Sequence, residues 1–218
     1  MEFNTHLAWL TPRTGPVVVG IAGGSGSGKS VIAHAIEDAL SPHACLIAHD
    51  RYYRSLAHLP THHRHTINFD HPDALETTLL VKHLNELRRG NPIQQPNYDF
   101  NTHTRLPSST WTQPSAIIII EGILVLHEKT LRAQMDLCVY VDTPSDVRLA
   151  RRIKRDKISR GRDDTQTIEQ YLETVLPMHT QYVEPSRAHA DLVIPGGYRT
   201  GAVGTLIAAL GALSSPSS

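Results

Sequence analysis

Gly23, Gly24, Ser25, Gly26, Ser27, Gly28, Lys29 and Ser30 spell G-x-x-x-x-G-K-S directly after an apolar run over residues 17–22. The glycines let the backbone curl with its amide hydrogens facing inward, and the orphan N–H groups and dipole of a following helix add positive potential. That is a cradle for the phosphates of a nucleoside triphosphate, with Lys29 reaching the β- and γ-phosphates and Ser30 ligating Mg²⁺. Two carboxylates stand at comparable positions. Asp50 follows the apolar run 45–48, where it suits a general base for an acceptor hydroxyl or a magnesium ligand, and Glu121 closes the run 117–120, where it suits the metal, directly or through water. A third group is the basic run Arg148, Arg151, Arg152, Lys154, Arg155, Lys157, Arg160 and Arg162, which starts on a helical pattern and ends in a glycine-containing loop. Beside a triphosphate loop it reads as a lid over residues 144–163, whose arginines meet charge where it develops and exclude water. Asp146, Asp156, Asp163 and Asp164 interleave it, which argues against a nucleic-acid patch.

These groups need elements to hold them. Continuous apolar runs at 17–22, 45–48, 116–120, 137–141 and 192–194 predict strands covered on both faces, and helical patterns fall at 31–40, 75–89, 146–157 and 168–183, the last kinked near Pro177. Alternating strands and helices predict an α/β fold with a parallel sheet, in which ligands collect at the carboxyl ends of the strands. The phosphate loop, Asp50 and Glu121 all follow such ends. Residues 92–113 carry three prolines and alternate polar with apolar residues, which predicts a β insertion projecting as a substrate-facing flap. Residues 51–70 read as a long surface loop. Its His58, His62, His63 and His65 lack the cysteines or i, i+4 pairing of a metal site, so a solvated loop is the expectation.

The chain has 218 residues, 40% of them hydrophobic, and a formal net charge of +0, which predicts one domain with one good core and gives no global field toward nucleic acid or an anionic membrane. Cys45 and Cys138 lie in apolar runs and are expected to be buried thiols. The first fifteen residues show no basic region followed by a long apolar stretch, and no run approaches bilayer-spanning length, so the expected setting is the cytoplasm. Residues 202–213 read as a packing helix and 214–218 as a frayed end.

Five segments taken in order carry a resemblance. The phosphate loop, His49-Asp50-Arg51-Tyr52-Tyr53, Asn68-Phe69-Asp70-His71-Pro72, Tyr98-Asp99-Phe100-Asn101-Thr102-His103-Thr104-Arg105 and the arginine-rich run resemble the uridine-cytidine kinase family over about residues 17–195. The resemblance implies a P-loop kinase fold with a β-hairpin flap and an Arg-rich helical lid, commonly a homotetramer. It implies MgATP-dependent phosphorylation, or use of another nucleoside triphosphate, at the 5′-hydroxyl of uridine or cytidine. It makes Asp50 the base, Asp70, Arg152 and Gln170 ribose-side contacts, and Tyr98 and His103 readers of the pyrimidine edge. Tyr53 and Phe69 line the nucleoside pocket, while Arg155, Arg160 and Arg162 meet phosphates or substrate as the lid closes. Arg51 stands where the family more often has a small residue, and Arg199 lies in a poorly matching tail.

These implied roles agree with elementary chemistry. Uracil and cytosine reverse donor and acceptor at positions 3 and 4, and a neutral histidine and a tyrosine hydroxyl can each serve either pattern. A carboxylate accepting from vicinal ribose hydroxyls disfavours deoxynucleosides, because the missing hydroxyl leaves a buried acceptor unpaired. Two rivals remain in view: a kinase of phosphoribulose, pantothenate or another small alcohol, against which the Tyr98 to His103 segment argues, and a nucleotide-binding regulator without turnover, against which the base and lid argue.

Overall fold

The computed structural model describes residues 15–64, 66–195 and 200–214, so His65, Arg199 and the segments 1–14 and 215–218 lie outside it. Its centre is a five-stranded parallel sheet, in the order β2 (Ala44–Ala48), β5 (Ile117–Glu121), β1 (Val17–Ala22), β6 (Leu137–Asp142), β7 (Leu192–Pro195). Each predicted strand is present, within one residue at either end. The continuous apolar runs are explained by two cores. Val18, Ile118 and Ile120 face one side, packed with Leu80 and Leu84 of helix α3 (Thr77–Arg88), and Val19, Ile117 and Ile119 face the other, packed with Ile32 and Ile36 of α1 (Lys29–Leu40) and with Leu206 and Leu210 of the helix Thr200–Ser214. Every residue of β1 and β5 is buried, each large aliphatic side chain contributing about 1.5–3 kcal/mol of transfer free energy. Cys45 and Cys138 are buried free thiols.

The register fixes the geometry of the functional edge. β5 pairs with both β1 and β2, and Glu121 lies opposite Ile21 on one side and Ala48 on the other. Glu121 therefore sits between the phosphate loop, which leaves β1, and the 3₁₀ turn His49–Tyr52, which leaves β2 with Asp50.

The insertion is an antiparallel hairpin of β3 (Ile93–Asp99) and β4 (Thr104–Thr112), with a register irregularity between Pro96 and Tyr98. Residues 51–70 are mostly irregular, with the short helix α2 (Thr61–Arg64). Two helical expectations shift. The pattern at 75–89 becomes a helix only from Thr77, because Leu75 forms an isolated bridge with Tyr53. The pattern at 168–183 starts earlier, at α6 (Asp164–Gln170), where Asp163 and Gln166 form a reciprocal capping box. Beyond it, π-helical turns at Tyr171–Val175 and His179–Val183 precede Pro177 and Pro185. In a wider turn the next N–H reaches back five residues, as Leu176 does to Tyr171 and Glu184 to His179, so each proline meets a helix already loosened before it. No helix is long and apolar enough to cross a membrane among the described residues.

Candidate active site

The phosphate loop closes as a tight turn, Ser27 N–H donating to the Gly24 carbonyl at 2.9 Å, and α1 starts from Gly28 in the left-handed region at φ 97°. Gly26 is required twice over: its φ is 83°, and a Cβ there would collide with the Arg148 carbonyl. Lys29 Nζ stands 3.8 Å from Glu121 Oε2, and the Ser30 hydroxyl donates to the same oxygen at 3.1 Å. Burial pushes the Glu121 carboxyl above its ordinary range; Lys29 pulls it down and the nearby Asp50 carboxylate raises it again. Two carboxylates and a hydroxyl at one corner of the cavity are a hard-oxygen donor set of the kind Mg²⁺ takes, so Ser30 and Glu121 fit the ion assigned to them.

Asp50 faces the same cavity. Its neighbour His49 is buried, with Nε2 3.1 Å from Thr77 Oγ1, and burial drops its imidazole to about 4. Thus the residue before the carboxylate is a neutral fixed ring.

Aromatic side chains form the opposite wall. Tyr53 packs against Phe69 and Tyr98, each with ring centroids 5.4 Å away, and Phe69 stacks on His103 at 4.3 Å and 17°. His103 has φ 54° at the hairpin tip, a left-handed conformation in which histidine is among the enriched non-glycine residues. The Tyr98 hydroxyl is buried with no hydrogen-bond partner among the described residues, which is costly for a phenol. Asp70 is nearly buried here. Desolvation raises its carboxyl, and Arg152, Arg160, Arg155 and Lys29 draw it back.

The basic run divides into two sets. Arg148, Arg151 and Arg152 dock on the phosphate loop: Arg151 donates to the Ser27 carbonyl at 3.2 Å and Arg152 to Ser25 Oγ at 2.9 Å, while Arg148, with Nε on Thr143 O at 3.0 Å, lies against Gly24 and Gly26. Arg155, Arg160 and Arg162 gather with Arg152 around Asp156, which is fully buried in α5 (Ser145–Ser159). Burial alone would raise the Asp156 carboxyl, but Arg155, Arg160 and Arg152 outweigh it and hold it low. Gln170 accepts from both Arg152 and Arg162, and Arg160 lies 5.2 Å over the Phe100 ring, so the arginine segment touches the hairpin.

Lys29, Asp50, Glu121, Tyr53, Phe69, Asp70, Tyr98, His103, Arg152, Arg155, Arg160, Arg162 and Gln170, all expected from sequence, converge on this one cavity. His49, Phe100 and Ile123 line it as well and were not assigned. Phe100 stands inside the Tyr98 to Arg105 segment, which was the available signal; nothing in the local sequence marks Ile123. In the sequence Asp156 shows only as a charge breaking up the basic run.

The model of the family described as "Phosphoribulokinase / Uridine kinase family" matches residues 18–201. The chain belongs to that family. A protein of Chloroflexus aurantiacus named uridine kinase is 46% identical over 187 residues, which are 85% of this chain and 90% of that one. A uridine kinase of Bacillus subtilis is likewise 46% identical over 183 residues, 84% and 87% of the two chains. A putative fructose transport system kinase from Silicibacter shares the fold, with a TM-score of 0.70, 21% identity, and coverage of 87% of this chain and 95% of its own. The α/β architecture is therefore that of P-loop kinases.

Proposed function

We propose that this protein is a nucleoside kinase that transfers the γ-phosphoryl group of ATP to the 5′-hydroxyl of uridine or cytidine, giving the monophosphate. The observation that carries the reading is the union, in one cavity, of a phosphate loop with an aromatic chamber containing an unsatisfied tyrosine hydroxyl. The named uridine kinases at 46% identity support it.

In this reading ATP phosphates lie in the loop amides against Lys29; Ser30 and Glu121 would hold Mg²⁺, which would supply positive charge against the triphosphate. The nucleoside stacks among Tyr53, Phe69 and Phe100, its base edge meets Tyr98 and His103, and its ribose hydroxyls donate to Asp70. Asp50 accepts the 5′-hydroxyl proton as that oxygen attacks the γ-phosphorus in line with the departing ADP. Arg155, Arg160 and Arg162, gathered by Asp156, bring guanidinium groups to charge that spreads over the transferring oxygens. The proposal includes pyrimidine salvage in the cytoplasm and a homotetramer, the latter from the resemblance.

The test is ATP consumption by purified protein with Mg²⁺ across uridine, cytidine, deoxycytidine, adenosine, ribulose 5-phosphate and pantothenate, with products identified by mass. Uridine or cytidine monophosphate is expected. Turnover on ribulose 5-phosphate or pantothenate alone would reassign the aromatic chamber to another alcohol, and intact ATP binding without turnover would favour a regulator.

A further inference from the structure

Arg105 is the last residue of the Tyr98 to Arg105 segment, and it does not line the cavity. Its cross-strand partner in the hairpin is Tyr98, and it lies two residues from His103. The guanidinium reaches off the hairpin. Nε donates to the Tyr53 carbonyl at 2.9 Å, Nη2 donates to the Tyr52 carbonyl at 3.1 Å, and Nη1 pairs with Glu76 Oε2 at 2.7 Å. Tyr52 ends the turn that carries Asp50, and Tyr53 follows it. Glu76 is tied to that chain too, its backbone N–H donating to Tyr52 O at 2.8 Å. Tyr52 is fully buried, and its hydroxyl meets His83 Nδ1 at 2.9 Å, so this end of the link is anchored in α3.

We infer that Arg105 is a positioning residue, which fixes the distance between the base-reading hairpin and the segment that carries Asp50 and Tyr53. The inference rests on the nucleoside-kinase reading above. The hairpin lies outside the central sheet and is also held by Ile93 in the core, by Gln95 donating to the Leu46 carbonyl, and at its tip by Leu56 and Arg64 donating to the carbonyls of His103 and Thr102. Arg105 is the side chain that ties it to the Tyr52 and Tyr53 carbonyls. A planar fork with five donors is suited to holding two successive carbonyls and a carboxylate at once, whereas an ammonium presents a single point of charge. If the link is cut, the nucleoside still enters between the aromatic rings but its 5′-oxygen no longer sits where Asp50 and the γ-phosphorus meet. Misplacement of about 1 Å costs about 100-fold in rate.

The experiment is steady-state kinetics of the full chain with MgATP and uridine or cytidine for wild type, Arg105→Ala and Arg105→Lys, together with ATP affinity by calorimetry, Tm, and assays with added guanidinium ion. For Arg105→Ala, kcat should fall about 100-fold while the ATP Kd changes less than about twofold, and guanidinium should restore about tenfold of the loss without stimulating the wild type. Arg105→Lys keeps the charge and the Glu76 pair but not both carbonyl bonds; it should lose at least about tenfold, and it decides the question if the alanine variant does not fold. Wild-type kcat in Arg105→Lys, or a loss in Arg105→Ala that comes with lost ATP binding and resists guanidinium, overturns the assignment. A wild-type protein that forms no nucleoside monophosphate overturns the kinase reading itself, and this inference with it.

Discussion

The two halves of the cavity are built differently. On the phosphate side, eight consecutive residues and the helix they start supply nearly all the groups, held by backbone geometry and by Arg148, Arg151 and Arg152 packed against the loop. On the nucleoside side, Tyr53, Phe69, Tyr98, His103 and Gln170 come from four separate stretches of chain and meet only because a hairpin and an arginine segment lean over the sheet edge. The first half is tied down by contacts within the protein, the Ser27 N–H on the Gly24 carbonyl and Arg152 on Ser25. The second holds unmet demands, an orphan hydroxyl at Tyr98 and a carboxyl at Asp70 raised by desolvation, which a nucleoside would answer.

If the halves are separable, changes on the acceptor side should destroy turnover and spare ATP binding. The largest effect is expected at Asp50→Asn, with kcat down by about 10³-fold or more and the calorimetric Kd for ATP nearly unchanged. Persistent transfer would remove Asp50 as the base, and lost ATP binding would show that the halves are not separable. Next, cytidine should exceed deoxycytidine in kcat/KM by at least about 100-fold, since the absent hydroxyl strands Asp70; equal efficiencies would take Asp70 off the ribose. Arg160→Ala should lower kcat by about tenfold to 100-fold with a much smaller change in ATP affinity for the free protein, because its guanidinium is held by Asp156 and Phe100 rather than by the phosphate loop.

Two smaller effects sharpen the contrast. Tyr98→Phe removes a buried hydroxyl that has no partner among the described residues, so the empty protein should keep or gain up to about 1 kcal/mol of stability while KM for the nucleoside rises several-fold. A fall in Tm with unchanged KM would mean that the hydroxyl serves the fold. His49 gives a pH signature. Its imidazole is lowered from 6.5 to about 4 by burial, so the unfolded chain takes up its proton first as pH falls. That contribution is complete above pH 6.5 and is lost between 6.5 and 4, about 3 kcal/mol in all. His49→Gln should therefore flatten the fall of Tm over that window, and parallel curves for variant and wild type would show that His49 is not the source.

Legibility followed the same division. The strands were readable because burial on both faces leaves unbroken aliphatic runs such as Ile117 to Ile120, and the loop was readable because Gly26 and Gly28 meet backbone demands visible in the pattern itself. The nucleoside residues were named through resemblance, since a tyrosine in a hairpin and an aspartate before His71 carry no local sign of facing one another. The start of α6 was missed although the Asp163/Gln166 capping box is a local signal. Arg148, Arg151 and Arg152 were read as lid because sequence gives the charge of an arginine and not the carbonyl it will find.

What the sequence by itself determined is whatever depends on neighbours in the chain: a parallel α/β core from apolar runs and helical periods, a phosphate cradle from glycine spacing, and carboxylates placed just beyond strand ends. Only the tertiary structure decided which arginines hold the phosphate loop and which gather on the buried Asp156, and that Arg105 ties the hairpin to the carbonyls of Tyr52 and Tyr53. The physical reason is range. Backbone curvature and amphipathic period act over a few residues, whereas Arg105 and Arg152 find partners 53 and 127 positions away, and even the nearby Asp156 gathers its arginines because the packed fold buries it.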